Sequence, residues 1–297
     1  MLSMDKGKAS VIGASGLVGQ SLRRVLEGSG YEVVGTYWMR PGDGLDQLDI
    51  TDFSTVARWF QAVRPEVVYL TAALTGVDYC EDHPDEAYRI NTEGTRFIAE
   101  MAAKNKARFV YYSTDYVFNG EDGPYGEDAV KTPLSIYGKT KAAAEEAIQE
   151  ILNDFLIIRT TVVYGWNRAS KNFAMQVYQR LGSGSTMEVP EDQWGNPTLV
   201  DYLADASVRL AQEEVKGIIH VVGKECMPRT EFARALARAY DFDPQLIRPV
   251  PTSSLHQRAL RPLRGGLRTD RLQRILGTEA MSLDEALKRL GSAGREI

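Results

Sequence analysis

Cysteine and histidine are scarce in this sequence. Its 297 residues include two cysteines, Cys80 and Cys226, and three histidines, His83, His220 and His256. The cysteines form no C-x-x-C pair and the histidines lie far apart, so neither a disulfide framework nor a zinc site is indicated. We therefore predict no metal site, and we expect His220, which lies in an apolar run, to be a core residue.

Long apolar runs and an excess of positive charge are also missing. No stretch approaches the roughly 20 apolar residues that span a bilayer, and the first residues lack the core of a signal peptide. The formal net charge of −5 disfavours general binding to nucleic acid. We therefore expect a cytoplasmic protein that binds neither membranes nor nucleic acid. Its hydrophobic content of 43% suffices for one large α/β core, or for a core plus a smaller lobe.

Patterns typical of buried strands alternate with patterns typical of helices through the first half of the chain. The predicted strands cover residues 9–12, 33–37, 67–70, 109–112 and 155–159, and the predicted helices cover residues 53–63, 86–104 and 138–151. Alternation of this kind is typical of a doubly wound parallel sheet with helices on both faces, the Rossmann architecture. We therefore predict an α/β fold.

A glycine-rich loop, G-x-x-G-x-x-G from Gly13 to Gly19, follows the first predicted strand. Gly13 permits a tight turn, Gly16 lets the backbone approach a pyrophosphate, and Gly19 lets the following helix pack closely on the sheet. Free N–H groups at the start of that helix bind an anion. The loop therefore predicts a dinucleotide site at Gly13, Ser15, Gly16, Leu17 and Val18.

A second motif places a tyrosine and a lysine four residues apart, Tyr137 and Lys141, on a helix that Ser135 can cap. A free tyrosine has a pKa of about 10, but a nearby ammonium group stabilises the phenolate and lowers that value. Tyr137 is thus a candidate proton donor. Thr114, at the end of a predicted strand, can hold and polarise a carbonyl. Together these residues predict a hydride-transfer enzyme.

The end of the second predicted strand indicates which nicotinamide cofactor is used. An acidic residue normally binds the adenosine ribose hydroxyls at this position, but here the chain offers Arg40 and no carboxylate. An arginine suits a 2′-phosphate. We therefore predict NADPH as the cofactor, with NADH as the alternative.

These motifs resemble those of the extended short-chain dehydrogenase/reductases, and among them the dTDP-4-dehydrorhamnose reductase family. Family-like stretches cover residues 72–78, 112–118, 137–141, 159–165, 172–173, 192–198 and 261–262. The resemblance implies reduction of a 4-keto nucleotide-activated deoxysugar, such as dTDP-4-dehydro-L-rhamnose, and implies Thr114, Tyr137 and Lys141 as the catalytic set. It implies that Lys141 also holds the nicotinamide ribose.

The resemblance assigns further residues to each ligand. For the cofactor it adds Asp49, Ile50, Ala72, Ala73, Leu74 and Tyr112, with Tyr137 and Lys141. For the nucleotide sugar it implies Val77, Asp115, Tyr116 and Asn172. Arginines gather between residues 256 and 274, and because the arginine fork can bind two diphosphate oxygens at once, we predict Arg261 as a pyrophosphate ligand.

The resemblance also implies interleaved domains. Residues 1–165 with 199–222 are expected to form the NADP-binding Rossmann domain. Residues 166–198 with 223–297 are expected to form a smaller, mainly C-terminal substrate-binding lobe. A homodimer is left open.

Departures from the family pattern leave more than one substrate as an alternative. Val162 stands where these reductases usually have a tryptophan, and Leu74 replaces a polar or aromatic residue, so another deoxysugar or another base remains an alternative. Two related classes of enzyme are disfavoured. The sugar-nucleotide dehydratases have a glutamate where this chain has Tyr116, and the epimerases have an acidic residue after the second strand, where this chain has none. A non-catalytic alternative is a regulatory NADP-binding subunit, because the methionine adenosyltransferase β subunit resembles the same reductases.

Overall fold

The computed structural model describes residues 7–167 and 169–295, with side chains through residue 291. The chain divides into two compact units, each built from three separate segments. The first unit contains the residues up to Thr114, Ser135–Ile158 and Ala204–Ile219. The second contains Asp115–Leu134, Arg159–Leu203 and the residues from His220 onward.

The secondary structure of the described residues alternates strand and helix from the start. The strands β1–β13 are Lys8–Ile12, Glu32–Tyr37, Leu45–Gln47, Val67–Leu70, Arg108–Thr114, Phe155–Thr160, Val163–Tyr164, Met187–Pro190, Trp194–Gly195, Thr198–Leu199, Gly217–His220, Met227–Pro228 and Ile247–Val250. The helices α1–α11 are Leu17–Gly28, Phe53–Val63, Val77–Asp82, Pro84–Tyr88, Thr95–Asn105, Ile136–Ile151, Phe173–Gly182, Val200–Gln212, Arg229–Ala239, Asp270–Leu276 and Leu283–Arg295. A π-helical segment covers Arg89–Gly94, and short 3₁₀ turns cover Asp115–Val117, Pro244–Leu246 and Thr252–Leu255.

Seven strands form one sheet in the order β11-β6-β5-β4-β1-β2-β3. The pairs β1–β2, β1–β4, β2–β3 and β4–β5 are parallel. Strand β4 is buried along its whole length, as expected of a strand covered by helices on both faces. The chain runs outward from β1 to β3 and then returns to β4, so the order of strands reverses between β1 and β4. In open α/β sheets, ligands bind at the carboxyl ends of the strands beside such a reversal. The predicted doubly wound fold is confirmed.

Local capping sets the helix limits that matter for the site. The Ser135 hydroxyl accepts the Gly138 N–H at 3.2 Å and so begins α6, as predicted. The predicted helical stretch over residues 86–104 is present, but it is not one regular α-helix. It consists of α4, the π-helical segment and α5. The π turn is wider than an α turn, and here it carries the buried Asn91.

In its described residues, the second unit has its own core and three two-stranded sheets: β7 with β10, β8 with β13, and β9 with β12. Its core includes the aromatic and aliphatic side chains of Tyr164, Val177, Phe232, Leu236 and Leu290. Across residues 7–167 and 169–295, no helix combines the length and apolarity needed to cross a bilayer. In the same residues, no cluster of His, Cys, Asp and Glu side chains is placed to hold a metal ion.

Candidate active site

The glycine-rich loop joins β1 to α1 and is sterically closed to larger residues at two positions. Gly13 has a φ of +94°, and a Cβ there would lie 2.6 Å from the backbone nitrogen of Ala72. A Cβ at Gly19 would lie 2.4 Å from the Gly13 carbonyl oxygen. Gly16 is the N-cap of α1 and supplies no side chain to the first turn of the helix. Because no side chain caps them, the first N–H groups of α1 can bind an anion.

The residues after β2 and β3 differ in their surroundings. Arg40 is exposed, three residues beyond the end of β2 at Tyr37. Asp49 is half-buried, and one of its carboxylate oxygens accepts the Thr51 N–H and hydroxyl, both at 2.8 Å. Ile50 is buried in the core of the first unit. Of these three side chains, Arg40 is therefore the most accessible to a ligand.

The loop after β4, which contains Ala72, Ala73 and Leu74, is fixed by Asn91. The Asn91 amide oxygen accepts the Leu74 N–H at 2.8 Å, and its NH₂ group donates to the Leu74 carbonyl at 3.0 Å. The same NH₂ group donates to the Thr140 hydroxyl at 3.1 Å. Asn91 thus ties this loop to helix α6. Sequence analysis missed this residue, because its orientation depends on the π-helical segment, which no periodic pattern indicated.

Tyr137, Lys141 and Thr114 all belong to the first unit. Tyr137 lies in the first turn of α6 and is half-buried, whereas Thr114 is the buried last residue of β5. Lys141 lies one turn after Tyr137 and is 3% exposed. Its Nζ donates to the Tyr112 carbonyl oxygen of β5 at 2.6 Å. Helix α6 therefore presents the tyrosine and the lysine at the carboxyl end of a central strand.

The Lys141 ammonium group lies in an apolar environment. Its Nζ is 4.1 Å from the centre of the Tyr111 ring, a distance that allows a cation–π contact. Burial lowers the pKa of Lys141 to about 7, and the nearby Glu145 carboxylate opposes that shift. Protonation of this lysine is consequently sensitive to its few polar neighbours.

The second unit contains a small pocket that is partly open to solvent. Two of the predicted substrate residues, Asp115 and Tyr116, line this pocket. Asp115 is 4% exposed, and one of its carboxylate oxygens accepts the Thr161 hydroxyl at 2.8 Å. The sequence analysis assigned no substrate contact to the other lining residues, although it noted the departure at Val162 and the family-like stretches 159–165, 192–198 and 261–262. These lining residues are Thr161, Val162, Gln193, Trp194, Gly195, Pro197, Met227, Arg229, Phe232 and Pro262.

The other three predicted substrate residues lie elsewhere. Val77 begins α3 in the first unit. The Asn172 side chain caps α7 by accepting the Met175 N–H at 3.4 Å, and it donates to the Gly165 carbonyl at 3.0 Å. Neither Asn172 nor Arg261 lines the pocket of the second unit. The arginine that does so is Arg229, whose guanidinium carbon lies 4.9 Å from the centre of the Phe173 ring.

Val162 forms one wall of this pocket with an unusual backbone. Its φ of +46° lies in the left-handed region, which is unfavourable for a β-branched residue and costs of the order of 1–3 kcal/mol. Its carbonyl accepts the Thr198 N–H at 3.2 Å. Strained residues of this kind cluster at ligand sites.

Comparison with known proteins agrees with this architecture. The chain matches the family model of the RmlD substrate binding domain over residues 8–294. It is 35% identical over 259 residues to a dTDP-4-dehydrorhamnose reductase of Streptomyces griseus, covering 85% of this chain and 82% of that relative. It is 30% identical over 281 residues to methionine adenosyltransferase 2 subunit beta of Bos taurus, covering 92% and 84%.

Among solved structures, the crystal structure of a dTDP-4-dehydrorhamnose reductase from Bacillus anthracis in complex with NADP is similar, with a TM-score of 0.89 and 30% sequence identity. The match covers 97% of this chain and 99% of that chain. The resemblance inferred from the sequence motifs is thereby confirmed. Since the family model and these relatives match nearly the whole chain, the protein belongs to the RmlD substrate binding domain family.

Proposed function

We propose that the protein uses NADPH to reduce the 4-keto group of a nucleotide-activated deoxysugar, dTDP-4-dehydro-L-rhamnose to dTDP-L-rhamnose or a close analogue. One observation carries this proposal. Lys141 is buried one helical turn from Tyr137, and its ammonium group is hydrogen-bonded to the strand that ends in Thr114. The names of the Streptomyces griseus and Bacillus anthracis relatives support the same reaction.

The first unit fits a dinucleotide. The close approaches at Gly13 and Gly19 leave a loop of bare backbone before α1, and the first turn of α1 carries no acidic residue. We assign the pyrophosphate to this loop and the 2′-phosphate to Arg40. The remaining cofactor contacts are assigned to Asp49, Ile50, Ala72, Ala73, Leu74, Tyr112, Tyr137 and Lys141. When bound, NADPH supplies a hydride to the keto carbon, and NADH is the alternative donor.

Side chains of the protein supply the proton that the keto oxygen takes up during the reduction. The Thr114 hydroxyl donates a hydrogen bond to the keto oxygen, and Tyr137 gives its phenolic proton to that oxygen as the alcohol forms. The positive charge on Lys141 favours the phenolate that Tyr137 then carries. Hydride plus proton complete the conversion of ketone to alcohol.

We assign the nucleotide sugar to Val77, Asp115, Tyr116, Asn172 and Arg261. The NADP-binding domain is proposed to comprise residues 1–165 with 199–222, bounds that also take in Asp115–Leu134 and residues 159–165, 199–203 and 220–222 of the second compact unit. The substrate-binding lobe is proposed to comprise residues 166–198 with 223–297. A cytoplasmic location and a homodimer stay predictions.

A regulatory role is the second candidate, because a methionine adenosyltransferase subunit is 30% identical to this chain. The two candidates differ in turnover. A reductase oxidises NADPH when the keto-sugar is added, whereas a regulatory subunit binds NADPH without consuming it. The reductase is favoured because the Streptomyces griseus relative is named for that activity at 35% identity.

The decisive experiment follows NADPH absorbance after addition of dTDP-4-dehydro-L-rhamnose to the wild type and to Tyr137→Phe. We expect turnover by the wild type and a loss of about a hundredfold or more in the variant, because the phenylalanine has no proton to donate. NADPH affinity should stay almost unchanged, because the substitution removes only the phenolic hydroxyl and keeps the aromatic ring. The control is Tyr88→Phe, at an exposed tyrosine of α4. Equal turnover in Tyr137→Phe would remove Tyr137 from the mechanism.

A further inference from the structure

Glu145 is a fully buried carboxylate on the helix that carries Tyr137 and Lys141. It has no exposed surface, and it lies one turn after Lys141, so the three side chains at positions 137, 141 and 145 follow one face of α6. A buried carboxylate is costly unless it is paired or hydrogen-bonded. Its presence beside the catalytic helix face therefore requires an explanation.

Residues of strand β5 form hydrogen bonds with both charged side chains on this face of α6. The Ser113 hydroxyl donates to Glu145 Oε1 at 2.6 Å, and the neighbouring Tyr112 carbonyl accepts from Lys141 Nζ at 2.6 Å. Consecutive residues of one buried strand thus each hold one of the two groups, the carboxylate through the Ser113 side chain and the ammonium group through the Tyr112 backbone. Because both side chains are buried, the attraction between their charges is stronger than at a surface.

The other titratable groups around Lys141 do not replace this carboxylate. Tyr111 of β5 presents the face of its ring, and the π-helical segment offers the neutral side chains of Asn91 and Thr92 to Thr140. Three charged side chains on the neighbouring helices have other contacts: Glu81 of α3 accepts the Ile136 N–H, Glu86 of α4 accepts the Tyr79 hydroxyl, and Arg96 of α5 pairs with Glu150 of α6.

We propose that Glu145, held by the Ser113 hydroxyl, keeps the buried Lys141 side chain positively charged and thereby acts as a positioning residue for proton donation by Tyr137. The link to Tyr137 rests on the proposed function, but the effect on Lys141 does not. The direction of the electrostatic effect agrees, since the Glu145 carboxylate raises the pKa of Lys141 against the effect of burial.

A purely mechanical role makes a different prediction. If Glu145 only joined α6 to β5, a glutamine would serve equally, because its amide oxygen also accepts a hydrogen bond from Ser113. Glu145→Gln therefore removes the charge and keeps the shape and the acceptor. Glu146→Gln is the matched control, since Glu146 is the exposed neighbour on the same helix.

The experiment is a pH titration of the full-length protein without cofactor, followed by NMR of lysine labelled with ¹³C at Cε. The Lys141 signal is identified by its absence from Lys141→Met. We expect the titration midpoint of Lys141 to fall by about one pH unit or more in Glu145→Gln, and to stay unchanged in Glu146→Gln. Glu145→Asp, which restores the charge, should return the midpoint toward that of the wild type.

In the turnover assay, the loss of activity on the alkaline side should move to lower pH by the same amount in Glu145→Gln. An unchanged Lys141 midpoint in Glu145→Gln overturns the proposal, whatever the turnover. If this variant does not fold, Ser113→Ala replaces it, because loss of the hydroxyl weakens the hold on the carboxylate. A midpoint equal to that of the wild type in Ser113→Ala likewise overturns the proposal. The NMR result stands without catalysis, so failure of the proposed function is seen separately, as absence of wild-type turnover.

Discussion

A methyl group added at Gly19 should weaken cofactor binding, although the residue lies inside helix α1. The new Cβ would lie 2.4 Å from the Gly13 carbonyl oxygen and 2.6 Å from the Ala14 Cα. Both are backbone atoms, so no side-chain rotation relieves the clash, and the loop must move away from the helix. Overpacking of this kind costs about 1–3 kcal/mol. If the displaced loop is the one that binds the pyrophosphate, the same free energy corresponds to a loss of about 5- to 150-fold in NADPH affinity.

The assay compares Gly19→Ala with Gly28→Ala by NADPH fluorescence titration and by urea unfolding. Gly28 is the exposed last residue of the same helix, and a Cβ there would meet nothing within 4 Å. Since alanine favours helix over glycine, Gly28→Ala should keep full affinity and gain up to about 1 kcal/mol in the free energy of unfolding. Equal NADPH affinity in the two variants would refute the assignment of this loop to the cofactor.

Two further predictions concern other parts of the chain. Arg40→Ala should weaken NADPH binding by about tenfold or more while leaving NADH binding nearly unchanged, since an arginine–phosphate contact is lost. The control is Arg58→Ala, at an exposed arginine of α2. An equal loss of affinity for both cofactors would contradict the phosphate role of Arg40. Burial lowers the pKa of His220 to about 3 from its ordinary 6.5. The unfolded chain therefore binds the extra proton first, and the free energy of unfolding should fall as pH drops from about 6.5 toward 3, by at most about 5 kcal/mol. Urea unfolding across this range should show a smaller fall in His220→Gln than in the wild type or in His83→Gln, an exposed control; identical pH profiles would exclude His220 as the cause.

The sequence was sufficient for the parts of the fold that depend on local pattern. The strand over 67–70 and the helix over 53–63 have the bounds that their apolar spacing predicted, and Ser135 caps α6 as its side-chain chemistry requires. His220 is fully buried, as expected from its apolar neighbours. Each of these features is decided within a few residues of the chain.

Features that depend on distant contacts were not predictable in this way. The π-helical segment exists together with the hydrogen bonds that Asn91 makes to Leu74 and Thr140, and the second partner lies 49 residues away. The bond between Ser113 and Glu145 spans 32 residues. Arg229 lines the pocket of the second unit as the first residue of α9, an amphipathic helix whose sequence does not distinguish this arginine from the others it carries. In each case the contact joins residues that are far apart in the sequence, so the pattern of neighbouring residues does not predict it.

The interleaving of the two units has a consequence for synthesis of the protein. Strand β11, which pairs with β6 at one edge of the seven-stranded sheet, begins only at Gly217. A nascent chain that stops before this point leaves the β6 edge unpaired, and unpaired edges are templates for aggregation. The sheet of the first unit is therefore complete only after two long segments of the second unit have left the ribosome. Neither unit can be produced alone by cutting the gene at a single site.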